Sequence, residues 1–151
     1  MVFFPPLLIF TFAVLHIFGA VGWLALNTIF AFGLDGRITQ MPEGWQQEFR
    51  ARVFPNLHLQ YKVYSGMTSL FGTLFAFAFA GGDLGYFSLA NPIGSRITIG
   101  GTIGLFAWLL GNTPYFRKLK LTFNRLNLGG LEFYVLVVAF LYMVAAAHPY
   151  V

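Results

Sequence analysis

Four long apolar runs divide this chain. The first extends from Pro5 or Pro6 to about Gly33, the second from about Val63 to Ala80, the third from about Ile97 to Gly111 and the fourth from about Leu131 to Ala147. The hydrocarbon core of a bilayer is about 30 Å thick, and a helix crosses it with roughly 20 apolar residues. Helix punctuation brackets the runs. Pro5-Pro6 suits a first turn, Gly81-Gly82 ends the second run, and Asn112 and Pro114 follow the third. The third is short and rich in glycine, with Ile93 as an alternative start. The pattern predicts an all-α polytopic membrane protein: one domain over residues 1–151, folded as an antiparallel bundle of four transmembrane helices.

Between the first two runs the periodicity changes. Trp45, Phe49 and Val53 recur at steps of four, and Glu48 and Arg52 form an i,i+4 charge pair. Pro42 suits the start of a helix and Pro55 its stop. The spacing predicts a short amphipathic helix over 42–54, lying on a membrane surface. Tyr86 and Phe87 predict interfacial anchors in the connection between runs two and three.

Composition sharpens this picture. Of 151 residues, 58% are hydrophobic and 9% are charged, whereas a soluble domain carries about 25% charged residues. That balance excludes an ordinary soluble domain and a disordered chain. With no cysteine, disulfides, thiolate metal sites and a thiol nucleophile are excluded. The net charge of +4 is not read as a nucleic-acid signal, because the bases sit in loops. Arg37, Arg50, Arg52 and Lys62 lie between runs one and two; Arg117, Lys118, Lys120 and Arg125 lie between runs three and four; Arg96 stands alone between runs two and three. The positive-inside rule places both basic loops in the cytoplasm, or in the matrix or stroma of an organelle, and both termini on the opposite side. The membrane is a plasma membrane or an organelle inner membrane. Met1 to Leu34 holds no charged residue, so the opening run is read as a mature helix and not as a cleavable signal.

Small and polar residues mark the contact faces. Ser65, Ser69, Gly72, Ala76 and Ala80 form one stripe at steps of three and four, and Gly100, Gly104, Ala107 and Gly111 form another. Such stripes let helices approach in lipid. Phe71, Phe75 and Phe79 are then expected to face lipid or a partner. The one polar stripe of the first run is His16, Ala20, Trp23 and Asn27. His16 falls near mid-depth at 1.5 Å per residue. Its readings are a structural hydrogen bond, an axial ligand to haem or chlorophyll with Trp23 and Asn27 nearby, or a proton or quinone site. His58 and His148 lie at other depths, so a bis-histidine or three-histidine centre is not expected. Glu132 is an acid in the first turn of the fourth run, where it favours the helix dipole and can pair with Arg125 or Lys62.

Two stretches carry a family resemblance. LHIFGAVGWLALNTIF, Leu15 to Phe30, resembles the opening helix of the copper-resistance-D and protoporphyrinogen-oxidase-J group of small four-helix membrane proteins. MPEGWQQEFRARVFPNLHLQYK, Met41 to Lys62, is similar to the corresponding loop of the transmembrane-205-like proteins, and FRKLKLTFNRLN fits that layout. The aromatic pair that follows Phe-Pro in that family is replaced here by Asn56-Leu57-His58. The first resemblance implies a haem ligand at His16. The basic residues that group keeps in helix three have no counterpart here, so the oxidase activity is not carried over. The second resemblance implies only the fold.

No Walker loop, His-Glu-x-x-His, Gly-x-Ser-x-Gly or paired intramembrane carboxylates occur. The expected function is therefore a non-catalytic subunit of a larger respiratory or photosynthetic type of membrane complex, partnered by lipid and other membrane subunits. The alternatives are a stand-alone haem protein or oxidase with His16 as axial ligand, and a small transporter or channel lined by His16, Asn27 and Glu132.

Overall fold

The computed structural model of this chain describes residues 4–113 and 130–147, and among them the regular structure is helical, with no strand. Helix α1, Pro6–Thr28, has proline in its first turn, where a missing N–H costs nothing. It runs on into a π-helical segment, Ile29–Leu34, and a short helix α2, Asp35–Ile38. Helix α3, Glu43–Arg52, follows Pro42. Helix α4, Phe54–Phe79, is next. A 3₁₀ turn, Leu84–Phe87, leads into helix α5, Pro92–Asn112. Helix α6 is Leu131–Ala147.

Three boundaries differ from the sequence expectation. Pro55 does not end ordered helix at this point: α3 closes at Arg52 and α4 starts at Phe54, with Pro55 in its first turn. Gln60 and Lys62 interrupt the apolar run but are good helix formers, so α4 begins nine residues ahead of Val63. The third helix starts at Pro92, ahead of Ile97 and one residue before the alternative start at Ile93, because Asn91 caps it. Its side-chain oxygen accepts from the amides of Ile93 and Gly94 at 3.0 and 2.9 Å. The first run is not one uniform α-helix, since its last turns are π-helical.

The turn after α4 is built on glycine. Gly81 and Gly82 have φ of 62° and 77°, a region that only glycine enters without strain. The Gly82 amide returns to the Phe77 carbonyl at 3.0 Å, closing the helix end. Gly94 lets the next helix pass against the Tyr86 carbonyl, where any side chain would collide. Arg96 donates through Nη1 to the carbonyl of Ala145, near the end of α6. That places a cation at a helix C-terminus, its favoured end.

Packing proceeds by pairs. Helix α1 lies along α4, and α5 lies along α6. Glycines set the close approaches. A Cβ at Gly19 would come within 2.8 Å of the Thr68 amide nitrogen, and one at Gly22 within 2.6 Å of the Tyr64 ring. A Cβ at Gly72 would come within 2.6 Å of His16 Nδ1, and one at Gly100 within 3.1 Å of the Tyr142 Cβ. Gly104 breaks its expected stripe, because a Cβ there would meet nothing within 4 Å. The phenylalanine ridge of α4 is also not all outward. Phe71 packs on Phe12 with centroids 6.2 Å apart and Phe75 is half-buried, which leaves Phe79 as its exposed member.

The core gathers toward one end, around Trp23, Leu26, Tyr61, Ala107 and Leu136. The outside is apolar: on α1, Leu7, Phe10, Val14, Ile17 and Val21 repeat at steps of three and four and are all exposed. Two helical stretches, Pro6–Leu34 and Pro92–Asn112, are long and apolar enough to cross a membrane. Helix α6 is apolar but has 17 residues. In α4, Thr68, Ser69 and Thr73 lower the hydropathy; each hydroxyl is satisfied by the carbonyl four residues back, at 2.8–3.0 Å.

The two glycines give opposite expectations. Gly72→Val should destabilise the α1–α4 pair by about 1–3 kcal/mol through overpacking. Gly104→Ala should stabilise α5 by about 0.5–1 kcal/mol through backbone entropy. Thermal unfolding of both variants in one detergent, followed by circular dichroism, checks this; a drop of equal size for both would contradict the packing described.

Candidate functional site

Glu132 sits in the first turn of α6 and is 3% exposed. It draws on three other helices. From α1, Trp23 donates its indole Nε1–H to Glu132 Oε1 at 3.1 Å. From α4, the Tyr61 hydroxyl donates to the same oxygen. From α5, Gly111 presents bare backbone: a Cβ there would overlap the Tyr61 hydroxyl and come within 2.7 Å of Glu132 Oε1. Trp23 and Tyr61 are themselves buried and meet edge to face, with centroids 6.4 Å apart. A buried carboxyl is tolerated only where donors satisfy it, and here two aromatic donors do so.

A polar strip leads away from this point. Asn27 Nδ2 donates to the Trp23 carbonyl at 3.0 Å. Ser65, one turn along α4 from Tyr61, is 0% exposed. Its hydroxyl donates to the Lys62 carbonyl at 3.3 Å and receives Asn112 Nδ2 at 3.5 Å. On the outer side, rings continue from Tyr61 to His58 and Phe54, nearly parallel, with centroids 6.3 and 6.4 Å apart. Phe54 in turn meets Phe30 of the π-helical segment. Phe32 of that segment meets Phe133 at 5.1 Å. The π-helical turn thus wraps α1 around the start of α6, beside Glu132. Such segments often occur at functional sites.

His16 is separate. It lies seven residues from Trp23 on α1, about 10 Å along the helix axis. Its Nδ1 is 2.9 Å from the Thr68 carbonyl of α4. A carbonyl only accepts, so Nδ1 carries the proton, and in a neutral ring Nε2 carries the lone pair. Gly72 makes room for the ring. The structure therefore brings Trp23 to Glu132 and sets Asn27 behind Trp23, but it leaves His16 about two turns away. Ser69 stays within α4, bonded to the Ser65 carbonyl. The expected pairing of Glu132 with Arg125, and the position of His148, lie outside the described residues. Among those residues no cluster of three His, Asp or Glu could hold a metal ion, and every buried side-chain nitrogen and oxygen has a hydrogen-bond partner.

Tyr61 is the member that sequence reading missed. One signal pointed to it: Tyr61, Ser65, Ser69 and Gly72 continue a single stripe at steps of four, four and three once α4 is begun at Phe54. Comparison of the chain with family models, with curated proteins and with solved structures returns no match.

Removing the acceptor should be costly. Glu132→Ala strands two buried donors, at about 1–3 kcal/mol each. Glu132→Gln keeps an acceptor oxygen and should lose less than half as much. Chemical denaturation followed by tryptophan fluorescence ranks the two; equal losses would mean that the acceptor oxygen kept by Gln contributes nothing.

Proposed function

We propose that this chain is a non-catalytic integral membrane subunit, a four-span helical bundle that serves a larger electron-transfer or light-energy complex. One observation carries the reading: polar groups are inside and apolar groups outside. Glu132, Asn27 and Ser65 are buried, while Leu7 and Val21 are 75% and 64% exposed. Water makes this arrangement unfavourable and lipid favours it. Each buried polar group is also committed to a neighbour within the bundle. These bonds tie the helices together from inside.

In this reading α4 and α6 complete the four spans beside Pro6–Leu34 and Pro92–Asn112. The α4 hydroxyls cause little difficulty in lipid, since the helix itself satisfies them. The basic loops lie on the cytoplasmic, matrix or stromal side and both termini lie opposite. Arg96 does not weaken this charge asymmetry, because its guanidinium is engaged at the end of α6. Helix α3, with Trp45 69% exposed and Val53 also outward, rests at the membrane surface. Extraction in mild detergent should recover the chain with other membrane subunits, as a particle well above 16.9 kDa plus its micelle. Recovery of the chain always alone would refute the subunit role.

A second reading rests on His16. Its tautomer suits axial ligation: a ligating imidazole is held by a hydrogen bond from its other ring nitrogen, and Thr68 supplies that bond. Nε2 would then bind a haem or chlorophyll metal, which supplies the redox or light chemistry. The residues here would fix the ring and exclude water. His16→Ala should abolish a Soret or chlorophyll band in the native extract. An unchanged spectrum would leave His16 as a link between α1 and α4.

A further inference from the structure

The Glu132 cluster holds a combination that packing alone does not require: a phenol hydrogen-bonded to a buried carboxyl, next to an indole. We infer that Tyr61 and Glu132 form a proton-coupled redox pair, able to hold a one-electron oxidising equivalent as a neutral tyrosyl radical. The inference stands on the geometry of the cluster and is independent of the subunit reading.

The step balances as follows. An outer-sphere one-electron oxidant takes one electron from the Tyr61 ring and is itself reduced by one electron. The phenolic O–H bond breaks and its proton moves along the existing hydrogen bond to Glu132 Oε1. The products are a neutral Tyr61 radical, a neutral Glu132 carboxylic acid and the reduced oxidant. No other co-reactant enters.

Burial favours this course. Oxidising a phenol that has no proton acceptor would create a cation in a medium of low dielectric, which is costly. Here the proton passes to the carboxyl oxygen already bonded to the phenol, so oxidation leaves no cation on the buried ring. The proton has one hydrogen bond to cross, and the base is already placed, which is what general-base assistance requires. Gly111 makes room for the two groups to meet, since a Cβ there would overlap the Tyr61 hydroxyl and come within 2.7 Å of Glu132 Oε1. Trp23 donates to the same oxygen at 3.1 Å. The radical is shielded, because Tyr61 is 6% exposed. It is also connected to the surface: His58, which is exposed, lies against Tyr61 with its ring nearly parallel.

Photogenerated tris(bipyridine)ruthenium(III), applied in substoichiometric amount to the whole chain in mild detergent, tests the pair. Freeze-quenched electron paramagnetic resonance should show a tyrosyl signal that narrows when the tyrosines are ring-deuterated. Tyr61→Phe should remove most of it, and deuterated buffer should slow its formation. Glu132→Gln, checked for native helicity, should slow it by about 100-fold, the lower end of what a positioned base contributes. Since Glu132→Gln also touches packing, Tyr61→Phe and the solvent isotope effect stand as separate tests. An undiminished signal in Tyr61→Phe would overturn the proposal, as would a tryptophan radical in its place or the absence of a solvent isotope effect.

Discussion

The structure depends on one buried carboxyl. Glu132 begins α6 and takes hydrogen bonds from Trp23 of α1 and Tyr61 of α4, against the bare backbone of Gly111 on α5. Elsewhere the helices associate as two pairs, α1 with α4 and α5 with α6, each fitted through glycine. Close packing can assemble each pair but says little about how the pairs sit on each other. A directional interaction among four helices does. It fixes the rotation of α1, α4 and α6 at once, because an indole N–H and a phenol O–H must both point at one oxygen. In an apolar environment the alternative, a desolvated acid with no donors, is too costly to persist.

This constraint explains features that look unrelated along the chain. The π-helical segment Ile29–Leu34 re-aims the end of α1, so that Phe30 and Phe32 close over Phe54 and Phe133 at the same end of the bundle. The early start of α4 at Phe54 is what carries Tyr61 into the core. At the opposite end, Arg96 and the Asn91 cap secure the α5–α6 pair, and His16 secures the α1–α4 pair through the Thr68 carbonyl. The bundle is thus fastened at one end between the pairs and at other levels within them.

Much of this was readable from residue order, and the unread part has a definite cause. The face His16, Trp23, Asn27 follows from helical spacing, and Glu132 is conspicuous as an acid beside an apolar run. The length of α6 and the helix in the first loop follow from where apolar and amphipathic periodicities begin and end. Tyr61 did not stand out, since Gln60 and Lys62 mask the continuation of α4. More basically, its contact with Glu132 spans 71 residues and that of Trp23 spans 109. No local pattern encodes such a pairing. The open side of Gly104 is likewise a matter of where α5 leans, which a small-residue stripe leaves undetermined.

A double-mutant cycle between Tyr61 and Glu132 tests the central claim most directly. Unfolding free energies would be measured in one detergent for the wild type, Tyr61→Phe, Glu132→Gln and the double variant. If the carboxyl couples the two helix pairs, the double variant loses less than the sum of the singles, with a coupling of about 0.5–3 kcal/mol, the range for residues that share a hydrogen bond. Strict additivity would show that Tyr61 and Glu132 stabilise the bundle independently and that the pairs are joined by something else.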